Sequence, residues 1–275
     1  MRVENKTAVL TGANGGIGQC IARTLAANGV RLLLVGRDGV ALEQLLSQLS
    51  PVFKPHRVFV GDLRDPSARK ALVEACIDIE VDVLINNAGV SEFKLLEDSD
   101  ESSIGNLIDL NLTVPIQLSH LLLPYLQSRE EAALINIGSA LGAIGYPAYS
   151  VYGASKFGLR GFSEALRREL DDSVVRVMHL APRATNTESN SANVIAMNAA
   201  LGTQMDEPEW VANTLLQKIR EDQWENIVLG WPESLYAKIN ALLPKVTSAA
   251  IHKQLKKIRQ FAKTESNSSL SKNSR

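Results

Sequence analysis

Tyr152 and Lys156 stand four residues apart in a stretch that reads as helix, so both lie on one face. A phenol beside an ammonium has a chemical use. Tyrosine at its ordinary pKa of about 10 is a poor base near neutrality, and a neighbouring positive charge lowers that value by stabilising the phenolate. Ser139, thirteen residues ahead of the tyrosine, is placed to hydrogen-bond an oxygen held beside the phenol. The three groups together suit moving a proton to or from a substrate oxygen. Tyr146 and Tyr149 are no substitutes, because Ser150 and Gly153 follow them at the same spacing. On its own, such a pair is commonly an exposed helix contact. Its surroundings give it weight, for the longest uncharged stretch of the chain, 132–155, ends one residue before Lys156. Four glycines, Pro147 and three tyrosines make that stretch a poor membrane span, and a dry site strengthens the coupling of phenol and ammonium.

A second constellation lies near the N-terminus, where Thr11-Gly12-Ala13-Asn14-Gly15-Gly16-Ile17-Gly18 follows an apolar run and opens a helix. A glycine turn in that context cradles phosphates: the backbone approaches closely, and the helix N-terminus offers free N–H groups and partial positive charge. The spacing is G-x-x-x-G-x-G rather than G-x-G-x-x-G, and no lysine follows, which rules out a P-loop. Two further features fit a dinucleotide. Asp62, followed by Leu63, ends the third strand and can accept from an adenine amino group or simply cap a loop. Asn86-Asn87-Ala88-Gly89 closes the fourth strand with small residues where doubly wound sheets bind ligands. The second strand ends Val35-Gly36-Arg37, with no carboxylate for a ribose 2′-hydroxyl and a guanidinium suited to a 2′-phosphate. NADP(H) is therefore expected over NAD(H), and Asp38 reads as a helix N-cap.

The elements that must position these groups alternate along the chain. Strands are predicted at 7–10, 31–35, 58–60, 81–85, 134–137 and 174–180, with helices between them, among them 17–28, 104–127 and 149–170. That order implies an α/β fold, a single doubly wound parallel sheet of Rossmann type with helices on both faces. The 275 residues are 45% hydrophobic and 21% charged with a net charge of −1, an ordinary globular composition that makes no electrostatic case for nucleic acid. Cys20 and Cys76 are expected as buried apolar groups, no metal site is expected, and the N-terminus lacks a secretory pattern, so the protein reads as cytoplasmic.

In combination these motifs resemble the short-chain dehydrogenase/reductase family, over roughly 6–230. The resemblance implies hydride exchange with a ketone, aldehyde or alcohol, catalysed by Ser139, Tyr152 and Lys156, with Lys156 also on the nicotinamide ribose hydroxyls. It further implies that Asn111 holds a water in a proton relay, although by its own chemistry Asn111 is equally a structural hydrogen bonder. Gly12, Asn14, Gly15, Gly16, Ile17, Gly18, Arg37, Asp62, Leu63, Asn87, Ala88, Gly89, Pro182 and Thr185 are the implied cofactor contacts. One departure stands out: Arg183 occupies the place of a glycine the family commonly has after the sixth strand, with Thr185 and Thr187 following. A fold-mate that binds NADP(H) as a sensor without turnover is the alternative, against which all three catalytic types are present. Homo-oligomerisation is likewise an implication of the family.

Apolar residues in 190–205 fit either a pocket for a hydrophobic carbonyl substrate or the core face of a short lid helix. The chain divides into a catalytic domain at 1–232, a basic amphipathic extension at 233–263 and a tail at 264–275 expected to be disordered. Between Glu233 and Glu265 the chain holds Lys238, Lys245, Lys253, Lys256, Lys257, Arg259 and Lys263 without an acid, +7, leaving −8 on the remainder of a −1 chain. Its stripes, Leu235/Ile239/Leu242/Val246 and Ile251/Leu255/Ile258/Ala262, fit packing on the domain or a second subunit, an acidic partner, or an anionic membrane surface.

Overall fold

The computed structural model describes the backbone of residues 1–273 and side chains through Glu265. Seven parallel strands form one sheet: β1 (Thr7–Thr11), β2 (Arg31–Gly36), β3 (Arg57–Val60), β4 (Val83–Asn86), β5 (Ala132–Ile137), β6 (Val175–Ala181) and β7 (Asn226–Val228). Their order is β3-β2-β1-β4-β5-β6-β7, so the winding reverses between β1 and β4. The doubly wound sheet is as expected, with β7 a short edge strand beyond the six predicted.

Both faces of the sheet are covered, and alternate residues of each strand serve different cores. Ala8, Leu10, Leu32 and Leu34 pack with Ile21 and Leu25 of α1 (Gly16–Ala27) and with Val211 and Leu215 of α8 (Pro208–Arg220). Val9, Leu33 and Val35 face Leu72 of α3 (Pro66–Asp78), Leu118 and Leu122 of α5 (Val114–Gln127), and Leu166 of α6 (Ser150–Glu169). Cys20 and Cys76 are buried, and burial pushes the Cys76 thiol up to about 12. Asp38 caps α2 (Gly39–Ser47), its carboxylate accepting from Ala41 N at 3.1 Å.

The helix expected at 104–127 is interrupted. After α4 (Glu101–Ile108) comes a π-helical turn, Asp109–Thr113, before α5 continues the same path. Such wide turns recur where a helix must aim one side chain at a functional site. Here the turn carries Asn111, which is wholly buried.

The extension folds back onto the domain as α9 (Glu233–Leu242) and α10 (Pro244–Asn273). Ile258 and Ala262 are fully buried against Phe93, Ala148 and Met197, the last from α7 (Ala192–Leu201). Thr264 and Glu265 belong to α10 rather than to a tail, since Asn193 Nδ2 donates to Glu265 Oε2 at 2.6 Å and anchors that turn. The rest of the expected tail lies outside the residues whose side chains are described. No helix among the described residues is long and apolar enough to cross a membrane.

A buried polar chain crosses the middle of the sheet. Asn86 Nδ2 donates to Asn136 Oδ1 at 2.9 Å and to Ser119 Oγ at 3.3 Å, and Asn136 Nδ2 donates to Ser163 Oγ at 2.8 Å. It ties β4 and β5 to α5 and α6, beneath the strand ends that carry the site. Asn136→Leu removes the 2.9 Å bond from Asn86 and the donor to Ser163, leaving Asn86 only its long contact to Ser119 Oγ and Ser163 only its bond to Leu159 O. It is expected to lower unfolding free energy by about 2–4 kcal/mol in a urea titration.

Candidate active site

The site is built around the reversal of winding, where β1 and β4 end side by side. Thr11 locks the two ends: its Oγ1 donates to Ile85 O at 3.3 Å and accepts from Asn87 N at 2.9 Å and Ala88 N at 3.0 Å. Asn87 Nδ2 returns the favour to Thr11 O and Gly12 O, each at 3.0 Å. Gly12 sits at φ +64°, and a Cβ there would fall 2.7 Å from Ala88 Cα. That position requires glycine for both reasons. Past the turn, α1 starts at Gly16 with Gly15 as N-cap and no side-chain cap, leaving its first N–H groups directed to an open cleft.

Gly12, Asn14, Gly15, Gly16, Ile17, Gly18, Arg37, Asp62, Leu63, Asn87, Ala88 and Gly89 line one cleft of about 1020 Å3, together with Ser139, Tyr152, Lys156, Pro182 and Thr185. Arg37 is exposed at its rim, beside Gly36. Asp62 is held by Arg64, whose Nε and Nη2 bond the carboxylate at 2.6–3.2 Å, and this pairing brings its pKa down to about 2. Arg64 also reaches Asn106 Oδ1 at 2.9 Å and lines the cleft, a role the sequence reading missed. The i, i+2 spacing to Asp62 was the only local signal. Thr185 turns its hydroxyl to Arg183 O at 3.0 Å, while Thr187 packs across Gly16, where a Cβ would meet its Cγ2 at 2.9 Å.

At the chemical end, Ser139 follows β5 and caps a 3-10 turn, Ala140–Gly142, accepting from Leu141 N at 3.2 Å. Gly142 lets this turn lie directly on α6, since a Cβ there would come within 2.7 Å of Lys156 O. The contact holds Ser139 against Tyr152. Burial raises the Tyr152 pKa, and the hydrogen bond with Ser139 offsets only part of that rise. The expected lowering by Lys156 is absent because Lys156 Nζ turns to Ile137 O at 3.1 Å and lies 5.9 Å from the phenol ring centroid. Burial here thus favours the protonated phenol over the phenolate. Burial also takes the ammonium of Lys156 down to about 8.

The side chain of Asn111 is fully engaged. Its Oδ1 accepts from Val90 N and its Nδ2 donates to Val90 O, both at 2.8 Å, with a third bond to Ser155 Oγ at 3.1 Å. Ser155 in turn donates to Tyr152 O at 2.7 Å. Asn111 thus clamps the loop after Gly89 to the turn of α6 that carries the tyrosine.

Arg183 forms a knot of its own. Its guanidinium grips Asp206 through Nη2–Oδ1 at 2.6 Å and Nε–Oδ2 at 2.9 Å. Nη1 also donates to Trp231 O at 2.7 Å and Glu233 Oε2 at 3.1 Å. The loop after β6 is thereby tied to the segment before α8 and to the start of α9. The wall beyond this knot is apolar: Val194, Met197 and Leu201 from α7, Tyr146 and Tyr149, and Ile239 and Ile251 from the extension. Within 190–205, α7 lines the cleft through Val194, Met197 and Leu201, while Met197 also seats α10.

The model of the short chain dehydrogenase family matches residues 6–198. The chain belongs to that family. Dehydrogenase/reductase SDR family member 7B of Bos taurus is 31% identical over 258 residues, spanning 88% of this chain and 79% of that protein. The ketoacyl reductase HetN of Nostoc is 31% identical over 225 residues, 81% of this chain and 78% of its own length. A short chain dehydrogenase of Burkholderia cenocepacia J2315, solved in complex with NADP, has the same fold with a TM-score of 0.76 at 23% identity, covering 85% of this chain and 99% of that one. The family match stops within α7, so α9 and α10, which complete the apolar wall, lie outside it.

The buried Lys156 carries a cost in stability. Its folded pKa of about 8 lies below the ordinary 10.5, so the penalty is full below pH 8 and disappears as pH rises to 10.5. Lys156→Met is expected to stabilise the cofactor-free protein by about 1–3 kcal/mol at pH 7, the lost bond to Ile137 O offsetting part of the gain. Thermal unfolding of both proteins at neutral pH and near pH 10 checks this, the difference shrinking at the higher pH.

Proposed function

We propose that the chain is an NADP(H)-dependent oxidoreductase that interconverts a ketone or aldehyde and an alcohol, with an apolar substrate. The observation carrying this reading is that Ser139, Tyr152 and Lys156 line the same cleft as an uncapped helix N-terminus and the exposed guanidinium of Arg37. The residues present fit a dinucleotide phosphate: the first N–H groups of α1 carry no side-chain cap, and no carboxylate stands at the end of β2. The NADP bound by the Burkholderia relative supports the same cofactor here.

In this reading the N–H groups of Gly16, Ile17 and Gly18 receive the pyrophosphate, with Asn14 and Gly15 shaping the approach. Arg37 takes the 2′-phosphate, and Asp62 and Leu63 bound the adenine end. Asn87, Ala88 and Gly89 lie against the nicotinamide riboside, while Pro182, Thr185 and Thr187 close its other side. The bound nicotinamide supplies or accepts hydride. Ser139 holds the substrate oxygen and Tyr152, neutral and partly buried, donates its proton to that oxygen in the reductive direction. Lys156 would orient the ribose, and the phenolate left on Tyr152 takes a proton back from solvent before the next turnover. The apolar wall excludes water and favours a hydrophobic carbonyl, and the ketoacyl reductase among the relatives makes acyl ketones the first class to assay.

NADPH oxidation measured over aliphatic, steroid, sugar and acyl-thioester carbonyls tests the reading. Turnover of none of them by protein that binds NADPH would favour a sensor. With an active substrate, Tyr152→Phe is expected to lower kcat by about 100- to 10,000-fold while NADPH affinity stays close to wild type. Arg37→Ala is expected to weaken NADPH by about 1.5–3 kcal/mol and to leave NADH nearly unchanged, read by fluorescence titration. Equal losses for both cofactors would remove Arg37 from the 2′-phosphate site.

A further inference from the structure

The outer face of the extension does not pack. Where α9 turns into α10, Leu242 is 80% exposed, Leu243 59% and Val246 56%, and Trp231 is 68% exposed just ahead of α9. Tyr236 is also half-exposed. Large side chains this open are ordinary one at a time, but here they cluster on one elbow. Trp231, Tyr236 and Val246 also line the cleft, so the apolar wall of the site runs out to this surface without interruption.

The elbow is flanked by positive charge. Lys238 lies one helical turn before Leu242 and Lys245 stands within the elbow. Between Glu233 and Glu265 there is no acidic residue and a charge of +7. Lys238, Lys245, Lys253 and Lys256 make no ion pair among the described residues.

We infer that this elbow docks the protein onto anionic membrane surfaces, with the leucines and Trp231 entering the headgroup boundary and the lysines resting among lipid phosphates. Protruding apolar side chains ringed by lysine suit a deformable interface with negative charge. A second copy of this chain is a poorer occupant, since a symmetric contact would bring +7 against +7. Docking in this way would open the cleft toward the bilayer. The inference concerns binding alone, and stands or falls apart from the proposed chemistry.

Flotation of the full chain with NADPH present tests it, using vesicles of phosphatidylcholine with and without roughly one-third phosphatidylserine. Leu242 and Leu243 lie outside the cleft lining, so L242S/L243S leaves the site intact, and K238E/K245E removes the charge while leaving the leucines. Binding to the anionic vesicles is expected at low salt and at about 150 mM, where it weakens. Either double variant, with an unfolding temperature like the wild type's, should lose about tenfold or more. Should the serine variant fail to fold, the charge-reversed one decides. Failure of the wild type to float with anionic vesicles at low salt would overturn the inference, as would retention of binding by K238E/K245E. A dimer that L242S/L243S converts to monomer, with no vesicle binding by the wild type, would assign the elbow to self-association instead.

Discussion

The whole site depends on keeping the ends of β1 and β4 together while their chains leave for opposite faces of the sheet. Divergence at that point opens the crevice in which a ligand can lie, and it also removes the ladder hydrogen bonds that would hold the ends in register. One hydroxyl replaces them. Thr11 bridges to Ile85, Asn87 and Ala88, and Asn87 closes the ring back to Thr11 and Gly12. Because the ring uses backbone groups on both sides, the glycine turn and the small residues after β4 keep a fixed spacing, and the cleft between them is preformed.

The chemical end of the cleft shows the opposite economy. Lys156 is buried with a single carbonyl as partner, a poor arrangement for an ammonium, and Tyr152 is buried enough to keep its proton. The placement of Lys156 works against folding. Both placements are imposed by neighbours: the Ala140–Gly142 turn pressed onto α6, and the Asn111–Ser155 bonds that pin the first turns of that helix. Stability elsewhere in the sheet, including the asparagine chain through Asn86 and Asn136, is what lets the site hold these groups.

Arg183 accounts for how the extension joins the site. A glycine would leave the loop after β6 free of its neighbours, whereas this guanidinium binds Asp206, Trp231 and Glu233 in one knot with little exposure to water. The start of α9 is thereby fixed to the loop that borders the cleft. Helices outside the family match then become part of the pocket wall, and their unpacked face becomes the surface next to its mouth.

The groups legible in the sequence are those whose meaning is local. The glycine turn after a strand, the four-residue step from Tyr152 to Lys156, the Asp38 cap and the alternation of strands and helices all follow from spacing and residue type, and all appear in the fold. The exchange between distant segments was not legible. Thr11 acts through residues about 75 positions away, Arg64 takes hold of Asp62 only because their loop bends it there, and Arg183 meets partners 23 and 48 to 50 positions on. The direction of the Tyr152 shift likewise reversed between sequence and structure, because burial and the turn of Lys156 toward Ile137 are properties of the packed body. Residue order determined which chemical groups were available; tertiary packing decided which of them are charged, which are clamped, and which face the open cleft.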